Sequence, residues 1–410
     1  MVADPDCIVR NLVRVADSRV DPRVKPEDGY DGDRESVSAA AGITTTRTLG
    51  PGFQAACKRK EIAVITSTPS IASRRFMLGV LAALPILPAL FSATTVQAQT
   101  APLSSWNDGS AKQAILDFVK ATTDRTSESY VPPADRIATF DQDGTLWVEQ
   151  PLYAQAFFAL DRVHEMAPNH PEWKSHEPFK TVLANDWPAL ARFSERDWAE
   201  LVFVTHSGMN QAEFLEVVTK WLATAKHPRF KRLFTELTYQ PMTEVLAYLR
   251  ANQFETYIVT GGGQDFVRAY SQRVYGISTQ QVIGSSLVVK YQVKGDKAAL
   301  LRQPKLFFND NNDGKAIGID LFIGKRPYAA FGNSTGDQQM LEYTGTGNGA
   351  RLKMLVHHDD ATREYAYGPA GGQPDTKVGT FTQALMDEAK ARAWTVISMK
   401  SDWKRIFAFE

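Results

Sequence analysis

The sequence predicts an α/β protein built around a parallel β-sheet. Short apolar segments end in polar turns at Asp141, at Thr260 and at Asn333, which is typical of strands that carry a site at their ends. Residues 241–250, just before the second of these strands, have apolar side chains at helical spacing after an initial proline. A helix that leads into a strand is half of a β-α-β unit, and parallel sheets bind ligands at the carboxyl ends of their strands.

The first strand runs directly into two carboxylates, Asp141 and Asp143, followed by Gly144. Aspartate is rarely buried without a partner, and two carboxylates this close repel each other unless a cation lies between them. A calcium loop would need more oxygen ligands over twelve residues, whereas Leu146 and Trp147, which cannot ligate, follow here. The pair therefore predicts a site and not a simple capping turn.

The second and third strands end in groups suited to a phosphate and a metal ion. Thr260 is followed by Gly261 and Gly262, whose backbone amides can approach a phosphate closely because they carry no side chain. The apolar residues 328–331 lead to Asn333 and, four residues later, Asp337. Oxygen ligands of this kind suit Mg²⁺.

A lysine beside these strand ends would offset the negative charge of a phosphate. Two lysines are candidates for this position. Lys315 stands where a helix can begin, 18 residues before Asn333, whereas Lys325 lies only eight residues before it. Because a helix does not fit into the shorter interval, Lys315 is the preferred candidate and Lys325 the alternative.

In their order, these segments resemble the four motifs of the haloacid dehalogenase superfamily, and they are most similar to its phosphoserine-phosphatase-like branch. The resemblance implies a Rossmann-like core with a parallel sheet and an inserted helical cap. It places the core at residues 99–150 and 240–410 and the cap at 151–239.

The resemblance also implies a role for each motif residue. It assigns catalysis to Asp141, Asp143, Thr260 and Lys315, substrate binding to Gly261, Gly262, Trp147 and Glu149, and metal binding to Asp141, the backbone carbonyl of Asp143, Asn333 and Asp337. The implied cofactor is Mg²⁺. Many relatives carry Asp at the position of Asn333, so this site has one negative charge fewer.

These roles predict a Mg²⁺-dependent phosphomonoester hydrolase that works through an aspartyl-phosphate on Asp141. The substrate would be a small phosphorylated molecule, such as phosphoserine or a related phosphomonoester. A dehalogenase acting on carbon–halogen bonds is the alternative enzyme, although it needs neither Asp143 nor a metal. An exported binding protein without activity is the other alternative, against which the complete motif set argues.

Composition limits the classes of partner. The chain of 410 residues has 46 basic and 46 acidic side chains, which gives no argument for nucleic acid or for an anionic membrane. Its two cysteines, Cys7 and Cys57, both precede the predicted cleavage site described below, so the mature protein needs no disulfide. The sequence makes no prediction of oligomeric state.

Residues 73–98 have the features of an export signal. Arg74 and Arg75 precede an apolar stretch, residues 76–91, and residues 96–98 form a small-residue cleavage pattern. The arginine pair resembles a twin-arginine signal, which predicts a periplasmic protein. The stretch is short for a membrane anchor and contains two prolines, so no stable anchor is expected after cleavage. Residues 1–72 are polar and aperiodic, and we expect them to be disordered or untranslated.

Two further regions give expectations. The stretches 153–166, 179–193, 200–206 and 211–224 are predicted to be helices of the cap, and 282–291 and 303–309 to be strands of a β-hairpin, with 309–314 as a turn. His357 and His358 follow an apolar strand, and two roles stay open for them: contact with the substrate or a structural network. A zinc site is disfavoured because adjacent residues of a strand point to opposite faces.

Overall fold

A mostly parallel sheet organises residues 102–410, the part of the chain that the computed structural model describes. Its seven strands are β1 (Ile137–Phe140), β2 (Glu255–Gly263), β3 (Val282–Lys294), β4 (Lys297–Phe308), β5 (Ala329–Gly332), β6 (Leu352–His357) and β7 (Thr395–Ser398). Their order across the sheet is β4-β3-β2-β1-β5-β6-β7, and every neighbouring pair except β3 and β4 is parallel. The predicted α/β fold with a parallel sheet is confirmed.

Helices flank this sheet. Those described are α1 (Ser110–Thr123), α2 (Ala154–Met166), α3 (Phe179–Leu183), α4 (Trp187–Leu190), α5 (Glu195–His206), α6 (Gln211–Leu222), α7 (Gln240–Ala251), α8 (Gln264–Arg268), α9 (Ser271–Tyr275), α10 (Asp313–Ile323), α11 (Gln338–Gly345), α12 (Gln383–Ala391) and α13 (Met399–Asp402). Both central strands, β1 and β5, are buried along their whole length. Strands covered on both faces have nearly continuous apolar sequences, as seen here.

A pair of stacked aromatic rings lies behind the site. Phe140 of β1 stacks on Phe331 of β5, with ring centroids 4.4 Å apart and planes 3° from parallel. Phe140 is directly followed by Asp141, and Phe331 lies two residues before Asn333. The stacked pair therefore holds the two central strands in a fixed relation just below the site.

Helices α2 to α6 lie between β1 and β2, where helices of a cap are predicted. Part of this insertion has a hydrophobic cluster of its own, which includes Val163, Trp173 and Leu201. Phe158 and Phe214 belong instead to the main core of the protein. The insertion is therefore anchored on the core, and its exact limits, 151–239, stay a prediction.

The predicted hairpin is confirmed, but its turn is not where the sequence placed it. Strands β3 and β4 pair in antiparallel register through Lys294 and Lys297, so Gly295 and Asp296 form the turn. Gly295 has a φ of +61°, a conformation that side chains disfavour. A Gly-Asp pair between two alternating segments is itself a hairpin signal. Residues 309–314, expected as a turn, instead lead from β4 into α10.

The export signal and the N-terminal extension, residues 73–98 and 1–72, lie outside the described residues, so both stay predictions. Within the described range, 102–410, no helix is long and apolar enough to cross a membrane.

Candidate active site

The carboxyl ends of three neighbouring strands bring the predicted motif residues together. Strand β1 is paired in parallel with β2 on one side and β5 on the other. Asp141 directly follows β1, Thr260 lies in the last part of β2, and Asn333 directly follows β5. All three are almost fully buried. Because the strands are parallel, their polar ends lie at the same edge of the sheet.

Lys315 completes this cluster from the first turn of α10. Its ammonium donates hydrogen bonds to Oδ1 of Asp141 and Oδ1 of Asp337, both at 2.5 Å, and to the backbone oxygen of Val259 at 2.9 Å. The alternative, Lys325, lies at the surface, where it is ion-paired with Asp135 at 2.8 Å. The structure thus brings Lys315, and not Lys325, to the strand ends.

The charged groups of this cluster shift one another's pKa values. Burial, and then the carboxylate of Asp337, raise the pKa of Asp141 to about 7, while Lys315 opposes the shift. Burial lowers the pKa of Lys315, but Asp141 and Asp337 outweigh it and raise that pKa above its usual value. Since the lysine stays positive, it stabilises the ionised form of the carboxylate that it contacts.

Asp143 lies beside Asp141 in a different environment. Its Oδ1 accepts a hydrogen bond from Nε1 of Trp147 at 2.7 Å. Its Oδ2 faces Gly262 across the site, 3.7 Å from where a Cβ at that glycine would lie. Burial raises the pKa of Asp143 to about 6, against the hydrogen bond from Trp147, which lowers it. A carboxyl group with such a pKa can give and take protons near neutral pH.

The end of β2 presents the hydroxyl and amides that the sequence predicts. Oγ1 of Thr260 accepts a hydrogen bond from the backbone amide of Gly262 at 3.0 Å, which leaves the hydroxyl hydrogen available to a ligand. A side chain at Gly262 would lie against Thr260, Asp143 and Gln155. The glycine therefore keeps open the space between the end of β2 and Asp143.

Asn333 and Asp337, the predicted metal ligands after β5, differ in how their oxygens are used. Oδ2 of Asp337 accepts hydrogen bonds from the backbone amides of Asn333 and Ser334, at 2.9 and 3.0 Å, and Oδ1 accepts from Lys315. Asp337 is thus occupied as the anchor of the loop and of the lysine. Oδ1 of Asn333 accepts one hydrogen bond, from Thr145 at 3.2 Å, and retains a second lone pair.

The oxygen atoms at these strand ends fit a hard divalent cation. No three His, Cys, Asp or Glu side chains among residues 102–410 converge in metal-ligand geometry. The oxygens on offer are a carboxylate of Asp141, the amide oxygen of Asn333 and the backbone carbonyl of Asp143, and Mg²⁺ takes such oxygens while keeping several waters. The contacts favour Asn333 over Asp337 as a direct ligand, and the four-residue assignment stays a prediction.

A family comparison agrees with this arrangement. The model of the haloacid dehalogenase-like hydrolase family matches residues 138–342, half of the chain. The chain belongs to this family. The matched region begins in β1 and ends in α11, so it contains Asp141, Asp143, Thr260, Lys315, Asn333 and Asp337.

The solved structures that are similar to this chain share little sequence identity with it. A conserved protein of unknown function from Anaerococcus prevotii is 16% identical, with 72% of this chain and 94% of that chain covered at a TM-score of 0.47. A protein of unknown function from Bordetella pertussis is 16% identical, covering 64% and 97%, at 0.38. A probable phosphoserine phosphatase from Vibrio cholerae is 12% identical, covering 66% and 62%, at 0.33. No curated protein matches the sequence significantly. The family assignment therefore rests on the family model alone.

In this haloacid dehalogenase-like hydrolase, Trp147 and Glu149 are buried beside the motif residues. Trp147 is 0% exposed, and its ring stacks on Tyr270 at 4.7 Å between centroids. Glu149 is 2% exposed and contacts Asn333 and Tyr367. Burial raises the pKa of Glu149 well above its usual range. The structure places both residues where they support the hydrolase's motif residues, and their predicted contact with substrate stays untested.

Two residues of the insertion reach the site of the hydrolase without having been predicted. Oε1 of Gln155, on α2, accepts from the backbone amide of Gly263 at 2.7 Å, and its Nε2 lies 3.0 Å from Nε2 of His206 at the end of α5. Burial lowers the pKa of His206 to about 3, so the ring is neutral and accepts from the glutamine amide. These contacts tie the insertion to the end of β2. Only helical spacing placed Gln155 on a helix, and nothing local in the sequence marked its contact with Gly263.

The two adjacent histidines of the hydrolase lie in a structural network. Nε2 of His358 is 2.8 Å from the backbone oxygen of Gly144, and its Nδ1 is 3.1 Å from Glu364. Nε2 of His357 is 3.2 Å from the backbone oxygen of Ala370. His358 thereby supports the turn between Asp143 and Trp147, and the network alternative describes both rings.

Proposed function

We propose that this protein is a Mg²⁺-dependent phosphomonoester hydrolase that works through an aspartyl-phosphate intermediate. The observation that carries the proposal is the pair formed by Asp141, held by Lys315, and Asp143, held by Trp147 and facing the glycine loop. Covalent phosphoryl transfer needs a nucleophile and a separate acid–base group next to it. A dehalogenase has no use for the second carboxyl group.

In the first half-reaction, a carboxylate oxygen of Asp141 attacks phosphorus and the ester P–O bond breaks. Asp143, protonated at the start, gives its proton to the departing alkoxide. The hydroxyl of Thr260 and the ammonium of Lys315 hold phosphoryl oxygens and offset their charge. The products of this half are the free alcohol and a phosphoryl group on Asp141.

In the second half-reaction, water attacks the phosphoryl group and the bond between phosphorus and Asp141 breaks. Asp143, now ionised, takes a proton from that water and returns to its starting state. Inorganic phosphate leaves. A bound Mg²⁺ ion, held by Asp141, the carbonyl of Asp143 and Asn333, would act as a Lewis acid and reduce the repulsion between phosphate and carboxylate.

The proposal is tested with p-nitrophenyl phosphate. We expect turnover in the presence of Mg²⁺, its loss on addition of EDTA and its return when Mg²⁺ is restored in excess. Chloroacetate, with halide release as the readout, provides the matched assay for dehalogenation. Halide release without phosphatase activity would establish the alternative enzyme, and inactivity in both assays would favour a binding protein.

The substrate class is proposed as a small phosphomonoester, with phosphoserine as the first candidate. A screen of phosphoserine, phosphocholine, sugar phosphates and nucleotides on residues 99–410 would rank the substrates by kcat/KM. Equal, low kcat/KM for all of them would speak against a dedicated small substrate.

Replacing Trp147 by Phe should move the alkaline limb of the kcat–pH profile to higher pH. Asp143 must be protonated to act as the acid, and the hydrogen bond from Trp147 lowers the pKa of its carboxyl group. A hydrogen bond to a charged group is worth about 1.5 kcal/mol, so its loss should raise that pKa by about one unit. The measurement is kcat from pH 5 to 9.

Trp173→Phe is the matched control because Trp173 is buried in the cluster of the insertion. Its profile should stay unchanged. A shift of the alkaline limb to lower pH in Trp147→Phe would exclude Asp143 as the acid.

We also propose that the chain is exported to the periplasm by the twin-arginine route. The sequence Ser-Arg-Arg at residues 73–75 and the apolar stretch that follows support this. The double change Arg74→Lys and Arg75→Lys should leave the precursor in the cytoplasm, as seen by cell fractionation. Normal periplasmic accumulation of that variant would point to the general secretory route.

A further inference from the structure

We propose that the β-ribbon formed by β3 and β4 docks the protein on an anionic lipid surface. The partner of this ribbon is a membrane whose headgroups carry negative charge, and the contact is made by exposed apolar side chains together with lysines. This inference goes beyond the proposed function, because the ribbon contains none of the motif residues.

Exposed apolar side chains are concentrated on the ribbon. Eleven large apolar side chains are exposed among residues 102–410, and six of them belong to these two strands: Val289, Tyr291, Val293, Leu300, Leu306 and Phe307. Single exposed apolar residues are normal on a protein surface, whereas a group of them on one element marks an interaction site. The ribbon is therefore an interaction surface.

The strand register gives the ribbon two different faces. Tyr291 lies opposite Leu300, and residues directly opposite each other in an antiparallel pair have their side chains on the same face. Alternation along the strand puts Val293 on the face of Tyr291, and Lys290 and Lys294 on the other face. The free part of the ribbon thus has one apolar face and one face of lysines, and nearly all of residues 290–300 are exposed.

The charge of the ribbon selects its partner. Residues 282–308 contain five basic side chains and one acidic side chain, Asp296. Arg302 is neutralised by an ion pair with Asp265. The other four basic residues are exposed and have no ion pair among residues 102–410: Lys290, Lys294, Lys297 and Lys305. The balanced charge of the whole chain does not show this local excess, which attracts an anionic surface.

The two faces can act together because the ribbon is narrow. Neighbouring strands lie only about 4.8 Å apart. The long stems of Lys290 and Lys294 can therefore extend past the edge of the ribbon and bring their ammonium groups to the lipid headgroups, while Tyr291 and Val293 insert between the lipids. Each lysine close to an anionic leaflet strengthens binding by about fivefold.

A second copy of this chain suits the ribbon less well. Two ribbons packed together would bring like sets of lysines close to each other, and like charges repel. Strand β4 is also the edge of the sheet, where Pro304 lacks the N–H that pairing with another strand needs. Closer to the body of the protein, backbone hydrogen bonds of Arg302 with Gly208 and Met209 already cover this edge. These features favour a lipid surface over another β4.

Helix α10 also exposes apolar side chains, but its charge differs from that of the ribbon. Ile317, Leu321 and Phe322 are exposed, and so is Asp320, which has no ion pair among residues 102–410. Residues three apart on a helix are neighbours, so the carboxylate of Asp320 lies next to Ile317. An anionic membrane would repel this surface. The ribbon, and not α10, is thus the surface that contacts lipid.

The experiment measures co-sedimentation of the protein with lipid vesicles. It uses residues 99–410, the predicted mature chain, because the apolar residues 76–91 would bind lipid themselves, and the sheet and core described above lie within residues 102–410. We expect binding to vesicles of phosphatidylglycerol and phosphatidylcholine in equal parts, and much weaker binding to phosphatidylcholine alone. About 0.5 M NaCl should release the protein, since salt screens the attraction between exposed charges.

A double variant tests the apolar face. Tyr291→Ser combined with Val293→Ser should weaken vesicle binding by at least about 10-fold, because it removes apolar area that the lipid would cover. Leu321→Ser is the matched control, since Leu321 is 65% exposed and Tyr291 66%, but Leu321 lies on α10. This control should bind as the parent does.

A triple variant tests the lysine face. Lys290→Gln, Lys294→Gln and Lys297→Gln together should weaken binding by about 100-fold. The matched control makes the same change at three exposed lysines elsewhere: Lys174→Gln, Lys180→Gln and Lys390→Gln. Because both triple variants have the same net charge, the control should retain most of the parent's affinity. All the replaced side chains are exposed, so circular dichroism should show parent-like folding in every variant.

Three outcomes would overturn the inference. The first is no binding of the parent to the anionic vesicles, and the second is equal binding by the ribbon variants and their controls. The third is a dimer of the parent without lipid, seen by sedimentation velocity, that the double variant dissociates, because a second copy would then cover the ribbon. Since no substrate is present in these measurements, each outcome leaves the phosphatase proposal unaffected.

Discussion

Asp141→Asn should abolish phosphatase turnover while the chain stays folded. The neutral amide cannot form the phosphoryl intermediate, and loss of a covalent nucleophile reduces kcat by several orders of magnitude. The fold should tolerate the change because Lys315 keeps its contacts with Asp337 and with the backbone of Val259. The measurements are kcat with p-nitrophenyl phosphate and circular dichroism on heating.

Asp117→Asn is the matched control, since Asp117 is an exposed residue of α1 that accepts a hydrogen bond from Gln113. It should keep full activity. Residual activity of Asp141→Asn above about 1% of the parent would show that another group attacks phosphorus.

Lys315→Met should lower the free energy of unfolding by about 3–5 kcal/mol, the usual cost of removing one partner from a buried ion pair. Asp141 and Asp337 would remain buried without their shared cation and would repel each other. Lys325→Met is the matched control, because the pair of Lys325 and Asp135 is about half exposed, and such pairs contribute about 0–1 kcal/mol. Urea unfolding of both variants provides the comparison.

The loss in Lys315→Met should depend on pH in a defined direction. The folded-state pKa of Asp141 is already raised to about 7 from its usual value of 3.8, and removal of the lysine raises it further. An acid with a raised folded-state pKa binds more protons in the native state, so stability falls as pH rises through this window. The deficit should therefore be larger at pH 8 than at pH 5. Equal deficits for the two lysine variants, or a larger deficit at pH 5, would contradict the ion-pair account.

Local sequence was sufficient to find Asp141, Thr260 and Asn333 because each lies immediately beyond, or at the end of, an apolar strand. Asp141, Thr260 and Asn333 needed only the strand pattern and the rule that parallel strands bind ligands at their carboxyl ends. The helices of the insertion followed from apolar spacing in the same way, except that the stretch 179–193 forms two short helices, α3 and α4, and not one. Whether a residue lies in a strand or a helix depends on the spacing of apolar residues around it, and a single sequence shows that spacing.

The hairpin shows where local reasoning failed. Residues 290–300 have no buried apolar face, since nearly all of them are exposed to solvent. The polar run at 309–314 is a stronger local turn signal than the pair Gly295–Asp296, so the sequence alone favours the wrong turn. That run instead leads into α10 and sets the position of Lys315.

The sequence by itself determined the α/β class, the catalytic candidates and their order along the chain. Only the tertiary structure decided that Lys315 and not Lys325 reaches Asp141, that Gln155 binds the amide of Gly263, and that Asn333 donates a hydrogen bond to Glu149. The physical reason is distance along the chain. These contacts join residues far apart in sequence, and they depend on how the sheet, the insertion and the C-terminal loops pack, which no local pattern of apolar and polar residues specifies.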